Sequence, residues 1–290
     1  MTMPSVSDTF TPCTTTVSQG ALFGFSHNGM CAYRGIPYAL PPTGNRRWRP
    51  PEPAGPWKGV RNATRFGSTC PQDSQGGWNT VQGLNTSSED CLFLNVVAPP
   101  AAAVKGKGKK GFPVLVYLHA GEFDYGAASD LESNWPHFDW SDVVLVTPNS
   151  RLGVLGYLGS NHLRERSALG TTGQYGIEDQ RLALRWVAAN IHAFGGDASN
   201  VALMGESSGG TSVGVHLTSE ASWGLFHKVI MESPGLTQMK TLEAAEENYE
   251  YMLSALLAAN SPGCVRDETP SPPASSLPAT TRVLPLSDSA

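Results

Sequence analysis

Apolar runs alternate with a helical pattern through the middle of the chain. Residues 92–97, 113–118 and 143–146 are almost continuously apolar, which is typical of strands in a sheet that is covered on both faces. Between 177 and 194, apolar residues such as Leu184, Val187 and Ile191 recur at helical spacing, and Gly195 follows. This spacing predicts a helix that ends at the glycine.

A second group of elements follows this helix. A short strand is predicted at 201–204, and it leads into a glycine-rich turn at 205–209, where a helix of small residues begins. A further buried strand is predicted at 229–231 and an amphipathic helix at 243–259. The succession of strand, helix, strand, turn, helix and strand predicts an α/β fold with a mostly parallel sheet.

The rest of the chain has a different character. Residues 17–60 mix short β-like runs with proline-rich turns, which indicates an antiparallel edge of the sheet, and the polar stretch 67–90 indicates a long surface loop. The last 29 residues, 262–290, contain six prolines and no aromatic residue, too little apolar surface to offset the ordering entropy. We expect a flexible N-terminus at 1–16, a partial α/β domain at 17–260 and a disordered tail at 261–290.

Composition narrows the class of protein. A chain of 290 residues that is 40% hydrophobic can form one large core, and its net charge of -5 argues against a nucleic-acid partner. No apolar stretch is long enough to span a membrane, and the first twelve residues lack the features of a signal peptide. We identify no motif for a metal or another cofactor, and expect neither.

The cysteines and glycosylation sequons bear on the compartment. The chain has five cysteines, and an odd count fits poorly with a complete disulfide framework. N-glycosylation sequons begin at Asn62 and Asn85, which hints at a secretory route. The residues alone leave the compartment open.

A serine lies at the centre of the glycine-rich turn, in the run Gly205-Glu206-Ser207-Ser208-Gly209. In such a motif a sharp strand-to-helix turn lifts the serine oxygen clear of the backbone, and small flanking residues permit the close approach of the chain. The predicted strand and helix provide this context, so Ser207 is a candidate nucleophile. The backbone N–H of Ser208 would then point toward an oxyanion. The alternative is a plain glycine-rich turn.

A second oxyanion donor is expected from a loop that follows an earlier strand. The run 118–123 follows the strand predicted at 113–118 and contains His119, Gly121 and Glu122. Taken alone, this run is better explained as an ordinary strand-ending turn.

These features occur with a series of ordered landmarks, and together they resemble the type-B carboxylesterase family, which includes the cholinesterases. The resemblance extends from about residue 17 to about residue 264. The landmarks are Gly35-Ile36-Pro37-Tyr38-Ala39, Glu89-Asp90-Cys91-Leu92-Phe93-Leu94-Asn95-Val96, Asn149-Ser150-Arg151-Leu152-Gly153, Gly176-Ile177-Glu178-Asp179-Gln180, Phe194-Gly195-Gly196-Asp197 and the turn around Ser207.

The resemblance implies an α/β-hydrolase fold and a carboxylic ester hydrolase. Its substrate would be a small-molecule ester, cleaved through an acyl-enzyme on Ser207. The resemblance assigns oxyanion N–H groups to Gly121, Glu122 and Ser208, although Ala120 and Glu122 replace two glycines of the family. The Glu122 side chain would need to point away from the oxyanion.

The resemblance also places Glu206 and His119 near the site and pairs Cys70 with Cys91 in a disulfide. Trp78, which lies between these cysteines, is interpreted as loop packing. No oligomeric state is implied.

The family's other triad members, an acid and then a histidine, follow the serine at long intervals. The last histidine of this chain is His227, and His216, nine residues after Ser207, would be about 13.5 Å away along a helix. We therefore expect the chain to lack the acid and the histidine and to be poorly active alone. The alternatives are a non-catalytic adhesion or interaction protein on the same fold, and a non-functional truncated fragment.

Overall fold

The antiparallel edge of the sheet begins with a meander of three strands: β1 (Pro12–Val17), β2 (Gly20–His27) and β3 (Met30–Pro37). A three-residue strand, β4 (Val60–Asn62), pairs in parallel with β2. The computed structural model describes residues 12–27, 29–72, 87–100, 111–131, 141–168, 170–236 and 240–259.

The remaining strands continue the same sheet. They are β5 (Phe93–Ala98), β6 (Phe112–Leu118), β7 (Val144–Pro148), β8 (Gly196–Glu206) and β9 (Lys228–Glu232). The strand order is β1-β2-β3-β5-β7-β6-β8-β9. Strands β7, β6, β8 and β9 run parallel, while β5 is antiparallel to both its neighbours. The parallel half and the antiparallel edge are therefore both present, as the sequence predicts.

Five α-helices are described. They are α1 (Gly153–Tyr157), α2 (Asn161–Glu165), α3 (Tyr175–Asn190), α4 (Ser208–Thr218) and α5 (Leu242–Ala259). Helix α3 passes into a 3-10 turn, Ile191–Phe194, which ends at Gly195 with φ 80°. Glycine adopts this left-handed conformation without a Cβ penalty, which explains why the predicted helix stops there. Among the described helices, none is long and apolar enough to cross a membrane.

The main core lies between the sheet and α3. Apolar side chains of the central strands, such as Val116 and Leu203, are fully buried in one cluster with Leu184 and Val187 of α3. Burial of side chains of this size stabilises the fold by about 1.5–3 kcal/mol each. This packing fixes the carboxyl ends of β6 and β8, where the chemistry-bearing turns begin.

A buried ion pair joins α3 to the end of β7. Asp179 accepts three hydrogen bonds from Arg151: from its backbone N–H at 2.9 Å, from Nε at 2.8 Å and from Nη2 at 2.7 Å. Both side chains are almost fully excluded from solvent. Removing either partner would leave the charge of the other buried without a counter-charge. The pair therefore holds the segment that begins at Asn149 against α3.

The structure corrects three predictions. Strand β8 is eleven residues long rather than a short segment at 201–204, because its first residue, Gly196, already pairs with Phe112. Strand β9 is not a buried strand, since Ile230 is 43% exposed at the end of the strand order. The segment 12–16, expected to be flexible, is part of β1, because it pairs with β2 over its whole length.

Two disulfides are present. Cys70 is bonded to Cys91, the pairing that the family resemblance implies. Cys13 is bonded to Cys31, a bond that the odd cysteine count obscured. The fifth cysteine, Cys264, and the predicted disordered tail lie outside the described residues, as does Trp78.

Candidate active site

Ser207 lies alone between β8 and α4, in a strained backbone conformation. Its φ is 53° and its ψ is -118°, a region that costs a non-glycine residue about 1–3 kcal/mol and that persists only where surrounding structure enforces it. Residues in such conformations cluster at functional sites. The turn has the geometry that the motif at 205–209 predicts.

Close backbone contacts enforce this turn. A Cβ atom on Gly209 would lie 2.1 Å from the carbonyl oxygen of Leu118 and 2.8 Å from that of His119. A Cβ on Gly205 would lie 2.3 Å from the carbonyl of Gly209. Only glycine fits at either position, and the contact at Gly209 brings the end of β6 directly against the serine turn.

Hydrogen bonds hold the backbone of Ser207 on both sides. Its N–H donates to the carbonyl oxygen of Glu232 at 2.8 Å, and its carbonyl accepts from the N–H of Thr211 at 2.9 Å. The side chain makes no capping bond to α4, and none of the described residues hydrogen-bonds its Oγ. The hydroxyl is therefore not committed to a structural role within the described part of the chain.

The residues after β6 form a tight turn beside the serine. Gly121, Glu122 and Phe123 all have positive φ values, of 118°, 55° and 66°, and the carbonyl of Gly121 accepts from the N–H groups of Asp124 and Tyr125 at 2.8 and 2.9 Å. These two hydrogen bonds to the carbonyl of Gly121 fix the plane of the peptide group between Gly121 and Glu122. The Glu122 side chain is exposed to solvent, as an oxyanion role for its backbone N–H requires.

Ser208 and the turn that contains Gly121 lie at the same end of the sheet. Ser208 is the first residue of α4, so its N–H has no partner within the helix, and the positive end of the helix dipole lies there. Leu118 pairs with Gly205 across β6 and β8, which places the ends of both strands at the same level. Their role as an oxyanion hole stays a prediction.

His119 and Glu206 flank this region without a direct bond to the serine in the described residues. His119 Nδ1 lies 2.7 Å from the carbonyl oxygen of Ala120. Glu206 is partly buried and stands opposite Glu232 in the register of β8 and β9. Their electrostatic role at the site therefore also stays a prediction.

Three polar side chains that the sequence did not single out as site residues hold the segment after the turn. Gln72 bonds Gly126, Asp130 Oδ2 accepts from the N–H of Ala127 at 2.8 Å, and Asn149 bonds Ala128. Burial raises the pKa of Asp130. In the sequence, only position singles out two of them: Gln72 lies two residues after Cys70, and Asn149 is the first residue of a family landmark.

His216 is not positioned as a general base for Ser207. It is fully buried, with Nδ1 2.9 Å from Ser222 Oγ and Nε2 3.1 Å from Gln180 Oε1. Burial and, next, the charge of Arg181 lower its pKa to about 3. The described residues contain no cluster of histidine, cysteine or acidic side chains suited to a metal ion.

A mixed sheet whose central strands run parallel, with a strained serine turn between one of these strands and a helix of small residues, is typical of the α/β-hydrolase fold. The family model described as Carboxylesterase family matches residues 12–270. The chain therefore belongs to the carboxylesterase family.

Two curated relatives illustrate the similarity. The chain is 39% identical over 243 residues to the para-nitrobenzyl esterase of Bacillus subtilis (strain 168), covering 82% of this chain and 47% of that protein. It is 41% identical over 214 residues to the acylcarnitine hydrolase of Mus musculus, covering 71% of this chain and 36% of that protein.

Solved structures agree. A para-nitrobenzyl esterase matches with a TM-score of 0.73 at 37% identity over 85% of this chain and 49% of that one. A carboxylesterase of Geobacillus stearothermophilus matches with a TM-score of 0.72 at 38% identity over 87% of this chain and 49% of that one. The chain thus spans about half the length of these relatives, or less.

Proposed function

We propose that this chain is a carboxylic ester hydrolase in which Ser207 attacks the acyl carbon of a small-molecule ester. The observation that carries the proposal is the strained Ser207 backbone between β8 and α4, with an uncommitted hydroxyl. Maintaining that strain costs stability, and the cost has a purpose if the hydroxyl must stand clear of the backbone to react. A protein that used this fold only for adhesion would gain nothing from it.

The reaction has two balanced steps. Ser207 Oγ forms a bond to the acyl carbon while a base takes its proton, and the alcohol then leaves with a proton to give the acyl-enzyme. Water attacks the acyl carbon in the second step, releasing the carboxylic acid and regenerating the serine. In both steps the N–H groups of Gly121, Glu122 and Ser208 would stabilise the negative charge on the tetrahedral oxygen.

We further propose that the described residues supply no base for these steps. Among the described residues, no histidine hydrogen-bonds Ser207 Oγ. Both ring nitrogens of His216 are engaged by Ser222 and Gln180, while Nδ1 of His119 lies against the carbonyl of Ala120 and Nδ1 of His227 against the N–H of Val201. Loss of a triad member leaves only the residual catalysis of the oxyanion hole and binding. The chain alone is therefore expected to hydrolyse esters slowly.

Chemical rescue tests both parts of this proposal. The initial rate of p-nitrophenyl butyrate hydrolysis is measured for the wild-type chain, for Ser207→Ala and for Ser199→Ala, a matched control in the same strand. The expected rate is low, is raised by added imidazole in the wild type and in Ser199→Ala, and equals the imidazole-only background in Ser207→Ala.

Two results would contradict the proposal, and they are distinct. A rate that is the same in Ser207→Ala as in the wild type refutes the serine mechanism. A fast Ser207-dependent rate that imidazole does not change shows instead that the chain contains its own base.

A further inference from the structure

Two amide side chains connect the segment 119–128, which includes the turn after β6, to the Cys70–Cys91 disulfide. The first belongs to Gln72. Its Oε1 accepts from the N–H of Gly126 at 3.0 Å, and its Nε2 lies 3.1 Å from the carbonyl oxygen of Gly126 and 3.1 Å from that of Cys70. Gln72 thus pairs with both polar groups of Gly126, as a neighbouring strand would.

The second amide is that of Asn149, at the end of β7. Its Oδ1 accepts from the N–H of Ala128 at 2.7 Å, and its Nδ2 donates to the carbonyls of Ser68 at 2.9 Å and Cys91 at 3.0 Å. Asn149 is 5% exposed, and the hydroxyl of Tyr38 donates to its carbonyl at 2.6 Å. The two amides therefore contact the carbonyls of both bonded cysteines, one each.

Gly126 passes this restraint on to the turn. A Cβ on Gly126 would lie 2.5 Å from both the carbonyl oxygen of Ala120 and His119 Nδ1, and a Cβ on Gly121 would lie 2.0 Å from the carbonyl oxygen of Tyr125. The backbone at 125–126 is in direct contact with the backbone at 120–121 and with the side chain of His119. A shift of Gly126 must therefore displace the peptide groups at 120–122.

We propose that Gln72 and Asn149 are positioning residues, which hold the segment 119–128 in the shape that the oxyanion N–H groups need and tie that shape to the Cys70–Cys91 disulfide. This inference rests on the proposed function. Donors stabilise a developing oxyanion only when they are already oriented before the reaction. Three of the six bonds hold the N–H and carbonyl of Gly126 and the N–H of Ala128, which are backbone groups that a looser turn would leave free to move.

Hydrogen–deuterium exchange of the whole chain tests the restraint itself. Gln72→Met removes all three hydrogen bonds of Gln72 at similar side-chain length, whereas Gln72→Glu keeps the acceptor for the Gly126 N–H and loses the two donors. Gln19→Met is the matched control, because among the described residues the Gln19 side chain bonds only Ser18, in a surface turn. Peptides covering 119–128 are expected to exchange about tenfold faster in Gln72→Met, less so in Gln72→Glu, and unchanged in Gln19→Met.

A second arm removes the disulfide. The double variant Cys70→Ser with Cys91→Ser is expected to speed exchange in the same segment, while peptides of β6 and β8 keep their wild-type protection. Unchanged exchange at 119–128 in both this variant and Gln72→Met refutes the restraint. Equal acceleration in every peptide also refutes it, because that result shows only a global loss of stability.

The reactivity of Ser207 tests the positioning role. The second-order rate of its modification by a fluorophosphonate, with imidazole present, is expected to fall about tenfold in Gln72→Met, to recover in part in Gln72→Glu and to stay unchanged in Gln19→Met. Faster exchange with an unchanged modification rate overturns the positioning role. If the wild-type chain is not modified at all, the proposed function fails, and the exchange data still decide whether Gln72 holds the segment.

Discussion

Lowering the pH is expected to remove the stability that the buried histidine His216 contributes to the fold. Gln180 Nε2 lies within hydrogen-bond distance of the hydroxyls of Ser150 and Ser212, so its Oε1 faces the histidine and Nε2 of His216 carries the proton. Arg181 Nε donates to Ser222 Oγ, so that hydroxyl can donate to Nδ1. In the neutral ring of His216, the N–H donates to Gln180 and the other nitrogen accepts from Ser222. A second proton would place a positive charge in a buried site beside the guanidinium of Arg181.

The magnitude follows from the difference in pKa between the two states. The pKa of His216 is about 3 in the folded protein, against an ordinary value of 6.5, so the unfolded chain binds the extra proton first as the pH falls. The stability that the neutral histidine contributes is complete above pH 6.5 and is lost toward pH 3. At pH 4.5, two units below the unfolded value, the loss is about 3 kcal/mol.

Urea denaturation followed by far-ultraviolet circular dichroism between pH 7 and pH 4.5 measures this loss. His216→Gln, which can keep bonds to Ser222 and Gln180 but does not titrate, is expected to be less stable than the wild type at pH 7 and to lose about 3 kcal/mol less between the two pH values. His192→Gln, at an exposed histidine, is the control and should behave as the wild type does. If the free energy of unfolding changes equally with pH in the wild type and in His216→Gln, His216 does not cause the loss.

Three further predictions concern packing and charge. Gly209→Ala places a Cβ 2.1 Å from the Leu118 carbonyl, so we expect a loss of about 1–3 kcal/mol in urea unfolding, whereas an unshifted midpoint contradicts the close contact. Burial and, next, Asp179 raise the pKa of Glu178 from 4.5 to about 7, so the stability that Glu178 contributes falls as the pH rises from 4.5 through 7, by up to about 3 kcal/mol and with the opposite sign to the contribution of His216. Glu178→Gln should abolish that fall in a pH series of thermal melts. Asp179→Asn leaves the Arg151 charge buried without a counter-charge, and a destabilisation of about 3 kcal/mol or more is expected in urea unfolding.

The sequence predicts the middle of the sheet well because each central strand carries its own signal. The apolar runs at 113–118 and 143–146 correspond to β6 and β7 within one or two residues. Strands that are buried on both faces contain few polar residues. Each of them can therefore be recognised from its own short apolar run. The helix at 177–194 is recognised for the same reason, and Gly195 ends it.

Two of the three errors have a common cause, which is pairing between distant segments. Residues 12–16 carry no strong strand pattern, and they are ordered because β2 pairs with them and Cys31 is bonded to Cys13. The start of β8 at Gly196 depends in the same way on Phe112. No local pattern contains this information.

The candidate site also contains residues that the sequence identifies and residues that it does not. Ser207, Gly205 and Gly209 are identified from a short motif, because the turn itself requires those residue types. Gln72 and Asn149 act through contacts with residues 54 and 21 positions away. An amide side chain that bonds backbone groups at such separations leaves no spacing pattern in the sequence.

Ser207 is the residue that we propose as the reactive nucleophile. Its most direct test is the mass of the chain after treatment with a fluorophosphonate in the presence of imidazole, followed by proteolysis and sequencing of the modified peptide. We expect one phosphonyl adduct, located on Ser207, that is absent in Ser207→Ala and present in Ser199→Ala. An adduct that persists in Ser207→Ala, or no adduct on the folded wild-type chain, would contradict it.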